Sequence, residues 1–176
     1  VETQPTADGA RAPVTAGCVH LRCIRPFQSP DAFVPIRILL ADDHPSVRQA
    51  LTALLSTAGD IQIVGESGDA ASTREEAMRS TPDVIVLDVH MPGATGMALA
   101  RELRQRVAGV RILAISLFRD PMIVDAMHEA GALGYVHKDD LHACLIPAIR
   151  AVAGGETYAS PGLSLPEGRS QHPTDG

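Results

Sequence analysis

Five side chains able to handle a charged oxygen ligand stand at four points of the chain: Asp42 and Asp43, Asp88, Ser116, and Lys138. Each point directly follows an apolar run of strand length, over 36–41, 84–87, 110–115 and 133–137. In a parallel sheet the carboxyl ends of the strands share one edge, where open α/β sheets bind ligands. Three carboxylates gathered there repel one another, and one ammonium does not neutralise them, so the set asks for a divalent cation. Oxygen ligands with open coordination positions suit Mg²⁺, which keeps waters and takes phosphate oxygens. Lys138 is the single lysine beside fourteen arginines, which singles it out as a place for a compact ammonium on a flexible stem. Taken one at a time these residues have plainer uses, as a helix cap, a strand end or a solvated charge. Their joint placement is what argues for chemistry.

The elements that must position them follow from periodicity. Residues 36–41 read as a buried strand closed by Asp42-Asp43-His44-Pro45. Residues 45–58 follow as a helix with Val47, Leu51, Leu54 and Leu55 on one face and Gly59 as its stop. A short strand over 61–65 and a weaker helix over 70–80 come next. The run 84–87 shows no polar alternation, the mark of a strand covered on both faces, and Met91-Pro92-Gly93 after it predicts an end to pairing. Then come a helix over 95–107, a strand over 110–115, a helix over 121–130, a strand over 133–137 and a helix over 140–153 stopped by Gly154-Gly155. This alternation predicts one α/β domain over 36–160, a doubly wound parallel sheet with right-handed crossovers. Residues 1–35 hold five prolines and no sustained period, which predicts a disordered or irregular leader; 161–176 predict a flexible tail.

Composition narrows the function classes. A net charge of −6 and a pI near 5.6 oppose a nucleic-acid surface, which needs clustered Lys and Arg. No apolar run approaches the roughly 20 residues of a membrane span, and the N-terminus lacks the order of a signal peptide. The expectation is a soluble, cytoplasmic protein with no membrane partner. Aromatic content of 3% against 45% hydrophobic residues predicts an aliphatic core. Three cysteines without framework spacing fit a reducing compartment. Cys18, His20 and Cys23 amount to half a zinc site with no second Cys/His pair, and are read as incidental. His44, His128, His137 and His142 are read as surface or half-buried side chains without a role.

The combination of Asp42-Asp43, Asp88 with Met91-Pro92 and Gly96 behind it, Ser116, and Gly134-Tyr135 ahead of Lys138 resembles the receiver domain of two-component response regulators. The likeness runs from about 36 to 160. The text from Ala148 through Gly155-Glu156-Thr157-Tyr158 to Pro161 is similar to the receiver end of NarL/FixJ-type regulators. The resemblance implies a flavodoxin-like (βα)5 sheet of order 2-1-3-4-5 in three layers. It also implies that Asp88 accepts a phosphoryl group from a sensor histidine kinase or phosphotransfer protein. Mg²⁺ would be held by Asp42, Asp43, Asp88 and the backbone carbonyl of His90. Lys138 and Ser116 would bind phosphoryl oxygens, and Tyr135 would be the switch aromatic that turns inward when Ser116 moves. The output surface would be the helix of 121–130, the following strand and the last helix, facing a downstream protein target and compatible with a homodimer. Such a protein is a phosphoacceptor that catalyses only its own phosphorylation and dephosphorylation.

Departures from the family pattern set further expectations. Pro147 falls inside the last helix and is expected to kink or shorten it. Past Pro161 the sequence carries no helix-turn-helix, so a single-domain regulator without direct DNA binding is expected, beside a truncated NarL/FixJ-type transcriptional regulator as the alternative. A Mg²⁺-dependent phosphohydrolase of haloacid-dehalogenase type also uses a strand-end Asp nucleophile, but wants an acid two residues on, where His90 stands. A flavodoxin-type flavin site would want a hydroxyl-rich phosphate loop in place of Asp42-Asp43. His90 is placed to crowd or position water near Asp88, and this predicts that His90→Asn alters the lifetime of the phosphorylated form. An unchanged dephosphorylation rate in that variant would count against it.

Overall fold

The structure, a computed structural model, describes residues 34–166. The leader expected over 1–35 lies outside them except for Val34 and Pro35, as do Cys18, His20 and Cys23. Strands β1 (Ile36–Ala41), β2 (Ile61–Ser67), β3 (Val84–Asp88), β4 (His90–Met91), β5 (Ala94–Thr95), β6 (Arg111–Ser116), β7 (Ala132–His137) and β8 (Tyr158–Ala159) alternate with five helices. These are α1 (Pro45–Leu55), α2 (Ala70–Ser80), α3 (Gly96–Arg106), α4 (Pro121–Glu129) and α5 (Leu141–Gly154), with a 3₁₀ turn at Lys138–Asp140. The main sheet has the order β2-β1-β3-β6-β7-β8, every pair parallel. Its five long strands therefore follow the 2-1-3-4-5 order.

Period two explains how the layers are divided. Along β3, Ile85 and Leu87 point into the apolar cluster shared with α2, α3 and α4, while Val84 and Val86 point into the cluster shared with α1 and α5. All four are fully buried, and each such side chain contributes roughly 1.5–3 kcal/mol of apolar burial. That packing on both faces is what fixes the next residue, Asp88, at the edge of the core.

Four local features depart from the sequence expectations. Pairing does not end at Met91-Pro92-Gly93: β4 and β5 form a two-residue antiparallel ladder around Pro92-Gly93. Gly93 has φ +94°, a conformation glycine adopts freely, so Pro-Gly turns the chain back on itself instead of ending it. A sixth strand, β8, pairs with the outer edge of β7. Helix α5 is not shortened by Pro147 and runs through it. Pro147 and Ala143 are both exposed, so the Ala143 carbonyl that loses its intrahelical donor is left to water. Finally, the tail expected from 161 begins as packed chain, with Leu163 and Leu165 half-buried against the cluster that contains Val124, Met127 and Tyr135.

Gly96 opens α3 directly behind the Asp88 loop. Its N–H donates to the Val89 carbonyl at 3.1 Å, and a Cβ placed on it would lie 2.7 Å from both Cα and O of Val89. Backbone cannot yield as a flexible side chain does. Gly96→Ala is expected to cost about 1–3 kcal/mol in urea unfolding; an unshifted midpoint would show that the approach is not tight.

Candidate functional site

The strand ends converge as the spacing predicts. Lys138 Nζ lies 2.7 Å from Asp42 Oδ2 and 2.6 Å from Asp88 Oδ2. Asp42 is fully buried and Asp88 is 3% exposed, so both carboxylates depend on these bonds for solvation. Their other oxygens are held by the turns that follow: Asp42 Oδ1 accepts from His44 N at 2.8 Å and Asp88 Oδ1 from His90 N at 3.0 Å. Arg48, on α1, donates to the Asp42 carbonyl at 2.6 Å and fixes the acidic loop to the helix after it.

Charge is unevenly balanced. Burial raises the Asp88 pKa, the Lys138 and His90 N–H bonds work against that rise, and Asp42 adds to it. Burial also acts to lower the Lys138 ammonium, but its bonds to Asp42 and Asp88 outweigh this and raise it. Asp43 Oδ1 is buried without a hydrogen-bond partner, although His44 Nδ1 lies 2.6 Å from it, because that contact lacks hydrogen-bond geometry. One ligand atom from each of Asp42, Asp43, His44 and Asp88 can be chosen so that all lie within 4.8 Å of one another. Three clustered carboxylates, one with an oxygen lacking a hydrogen bond, suit a hard divalent cation, whereas the His44 imidazole lies outside the all-oxygen set expected for Mg²⁺.

Ser116 ends β6, between the strands that carry Asp88 and Lys138, and is fully buried. Its Oγ accepts from Phe118 N at 3.2 Å. Tyr135, also fully buried, donates its phenol to the Phe118 carbonyl at 2.8 Å, so Ser116 and Tyr135 grip the same residue through its two backbone groups. Burial raises the Tyr135 pKa, which keeps the phenol a donor. The ring already occupies the inward position that the resemblance ties to the switched form.

Three participants escaped the sequence reading. His44 joins the acidic cluster; its place directly after Asp42-Asp43 was the available signal. Phe118, held by Ser116 and Tyr135, has its ring 4.9 Å from that of His90. His137, expected at the surface or half-buried, is 5% exposed, because this end of β7 is covered on both faces and Tyr135, Val136 and His137 are all buried.

Removing one partner of a buried ion pair typically costs about 3–5 kcal/mol. Lys138→Met is therefore expected to lower stability by about that amount at pH 7 with EDTA present. The loss should shrink in acid. Lys138 has a raised folded pKa, so its contribution is in full force below the unfolded lysine value. Without it the Asp88 pKa rises further, so lowering the pH through that range neutralises the carboxyl and removes the penalty. Wild-type stability of the variant at pH 7 would overturn this account.

Comparison with known proteins agrees with this geometry. Residues 38–150 match the response regulator receiver domain. The response regulator GacA of Pseudomonas viridiflava is 32% identical over 129 residues, 73% of this chain and 60% of GacA. The nitrate/nitrite response regulator protein NarL of Escherichia coli K12 is 36% identical over 130 residues, 74% of this chain and 60% of NarL. This chain thus spans about six tenths of the length of these relatives. Among solved structures, the receiver domain of the putative response regulator NarL of Mycobacterium tuberculosis superposes with a TM-score of 0.67 at 33% identity, covering 70% of this chain and 99% of that one. A LuxR-family two-component response regulator from Aurantimonas sp. SI85-9A1 gives 0.69 at 35% identity, covering 72% and 91%. With the fold, the strand-end acids and the sequence match in agreement, the chain belongs to the response regulator receiver domain family, of NarL/LuxR type.

Proposed function

We propose that Asp88 is the phosphoacceptor of a two-component phosphorelay and that its phosphorylation requires Mg²⁺. The observation that carries this reading is the lysine bridge: one ammonium 2.6 and 2.7 Å from two buried carboxylates, with a third carboxylate beside them holding an unpartnered oxygen. Asp42, Asp43, Asp88 and the backbone carbonyl of His90 would hold the cation, which when bound neutralises phosphoryl charge and aligns donor with acceptor.

The chain's own residues do the rest. A carboxylate oxygen of Asp88 attacks phosphorus, the bond from phosphorus to the donor's imidazole nitrogen breaks, and the imidazole leaves with a proton as the acyl phosphate forms. Lys138 moves its bond from Asp88 to a phosphoryl oxygen, following the charge. Ser116 uses a lone pair to accept from Phe118 N, so its own proton is left to donate to another phosphoryl oxygen. Phosphorylation thereby adds a bond to an arrangement in which Tyr135 already holds the Phe118 carbonyl, and shifts the population toward it.

The donor is a sensor histidine kinase or a phosphotransfer protein, and the target a downstream protein that reads the α4, β7 and α5 face. In the dehalogenase-type phosphohydrolase reading an acid would be needed at His90, whose exposed ring leans on Phe118 instead. Incubation with Mg²⁺ and acetyl phosphate is expected to put base-labile phosphate on the wild type and none on Asp88→Asn. Equal incorporation in the two proteins, or none in the wild type, would defeat the proposal.

A further inference from the structure

The mechanism leaves one buried, fully bonded side chain unused. The imidazole of His137 sits at the end of β7, next to Lys138, and both ring nitrogens are engaged. Nε2 lies 2.9 Å from the Leu117 carbonyl, which can only accept, so Nε2 carries the proton and donates. Nδ1 accepts from Asp139 N at 3.2 Å and caps the 3₁₀ turn that bears Lys138. The His137 backbone N–H donates to Ser160 Oγ at 2.9 Å. An aliphatic side chain would fill this place without two nitrogens to satisfy, so the imidazole is not explained by packing.

The three bonds join three segments. Leu117 belongs to the loop that Ser116 and Tyr135 hold at Phe118. Asp139 belongs to the turn of the lysine. Ser160 opens the stretch that follows β8 along the β7 edge, where its N–H donates to the Tyr135 carbonyl at 3.0 Å. A second tie runs parallel to the first: Arg119, in the Ser116 loop, donates to the Pro161 carbonyl at 3.2 Å and to both oxygens of Asp140 at 3.2 and 3.0 Å. Beyond it Leu163 N bonds the Ser160 carbonyl, and Leu163 and Leu165 pack into the cluster around Tyr135. The charged neighbours of the imidazole are Asp139, whose carboxylate is 3.4 Å from Nδ1, and then Asp140, which is itself paired with Arg119.

We infer that His137 is a positioning residue that ties the C-terminal segment 158–165 to the Ser116 loop, so that loading Asp88 tightens this segment on the β7 edge. The inference rests on the reading of Asp88 as phosphoacceptor. Its direction follows from Ser116: a phosphoryl oxygen adds an acceptor for the Ser116 proton without removing the Phe118 N–H bond. The loop, and with it Leu117 and Arg119, is held more firmly in the position that grips Ser160 and Pro161.

Hydrogen exchange of the full chain, with and without beryllofluoride and Mg²⁺, reads this out, with Asp88 occupancy followed separately by fluorine resonance. In the wild type, loading is expected to slow exchange over 158–165 by about fivefold or more, the lower end of couplings between linked sites. At equal occupancy His137→Leu, which keeps the backbone bond to Ser160 and the Arg119 tie but loses the bond to Leu117, should clearly reduce the slowing. His137→Gln, whose side-chain amide nitrogen falls where Nε2 was and still donates to Leu117, should restore it, whereas His137→Asn should not. Arg119→Gln, a milder change on an exposed side chain, should reduce the slowing and keeps the test usable if His137→Leu folds poorly. A purely structural histidine would change exchange equally with and without the ligand. Loaded wild type with unchanged exchange over 158–165, or His137→Leu responding as the wild type does, would overturn the coupling alone. Failure of Asp88 to load would overturn the phosphoacceptor reading and this inference with it.

Discussion

The site depends on one ammonium shared between two buried carboxylates. Asp42 and Asp88 are covered by protein, and an uncompensated buried charge costs several kcal/mol, so both carboxylates lean on Lys138. The partners come from chain positions 96 and 50 residues away from the lysine, and no local structure brings them together. Only the sheet does. In the observed order β6 lies between β7, which carries Lys138, and β3, with β1 beyond, so the ammonium has to reach across the end of β6. A small residue there, Ser116, leaves the path open, and a four-carbon stem spans it where the planar fork of an arginine would have to be accommodated. The one lysine of the chain is thus explained by strand order.

The same bridge leaves the site short of positive charge. Asp88 stays harder to ionise than an ordinary aspartate because burial outweighs the help of Lys138, and Asp43 Oδ1 has no hydrogen bond and only the His44 ring beside it. Folded proteins rarely hold such imbalance except where they act, and the core around β3 is what sustains it. Its four aliphatic residues, packed on both faces, hold the carboxylates in a place that water would relieve and that the fold does not expose.

Much of this was legible in the sequence because it rests on long patterns. The continuous apolar run of β3, the Gly stops of the helices and the recurrence of an acid or base after a strand carry the fold and the five site residues almost unaided. What escaped rests on single tertiary contacts. Strand β8 is two residues long and exists because the β7 edge is there to pair with, a fact no window of residues around Tyr158 contains. Helix α5 tolerates Pro147 because the affected carbonyl faces solvent, which depends on how the helix is rotated against the sheet. His137 was misjudged because residue type argued for exposure, whereas β7 is covered on both faces where it ends.

Backbone groups also decide how Ser116 and Tyr135 are joined. Ser116 reaches Phe118 through its N–H and Tyr135 reaches it through its carbonyl, so the link between hydroxyl and ring is made entirely of backbone. The Phe118 side chain is not needed for that link. It is free to lie against the His90 ring, tilted by 45°. Meeting the His90 ring and joining the Ser116 hydroxyl to the Tyr135 phenol are therefore separate tasks on one residue, the first set by the side chain and the second by the peptide. A change of residue type at 118 acts on the contact with His90 and leaves the two backbone bonds in place, whereas a displacement of the 117–120 loop acts on both.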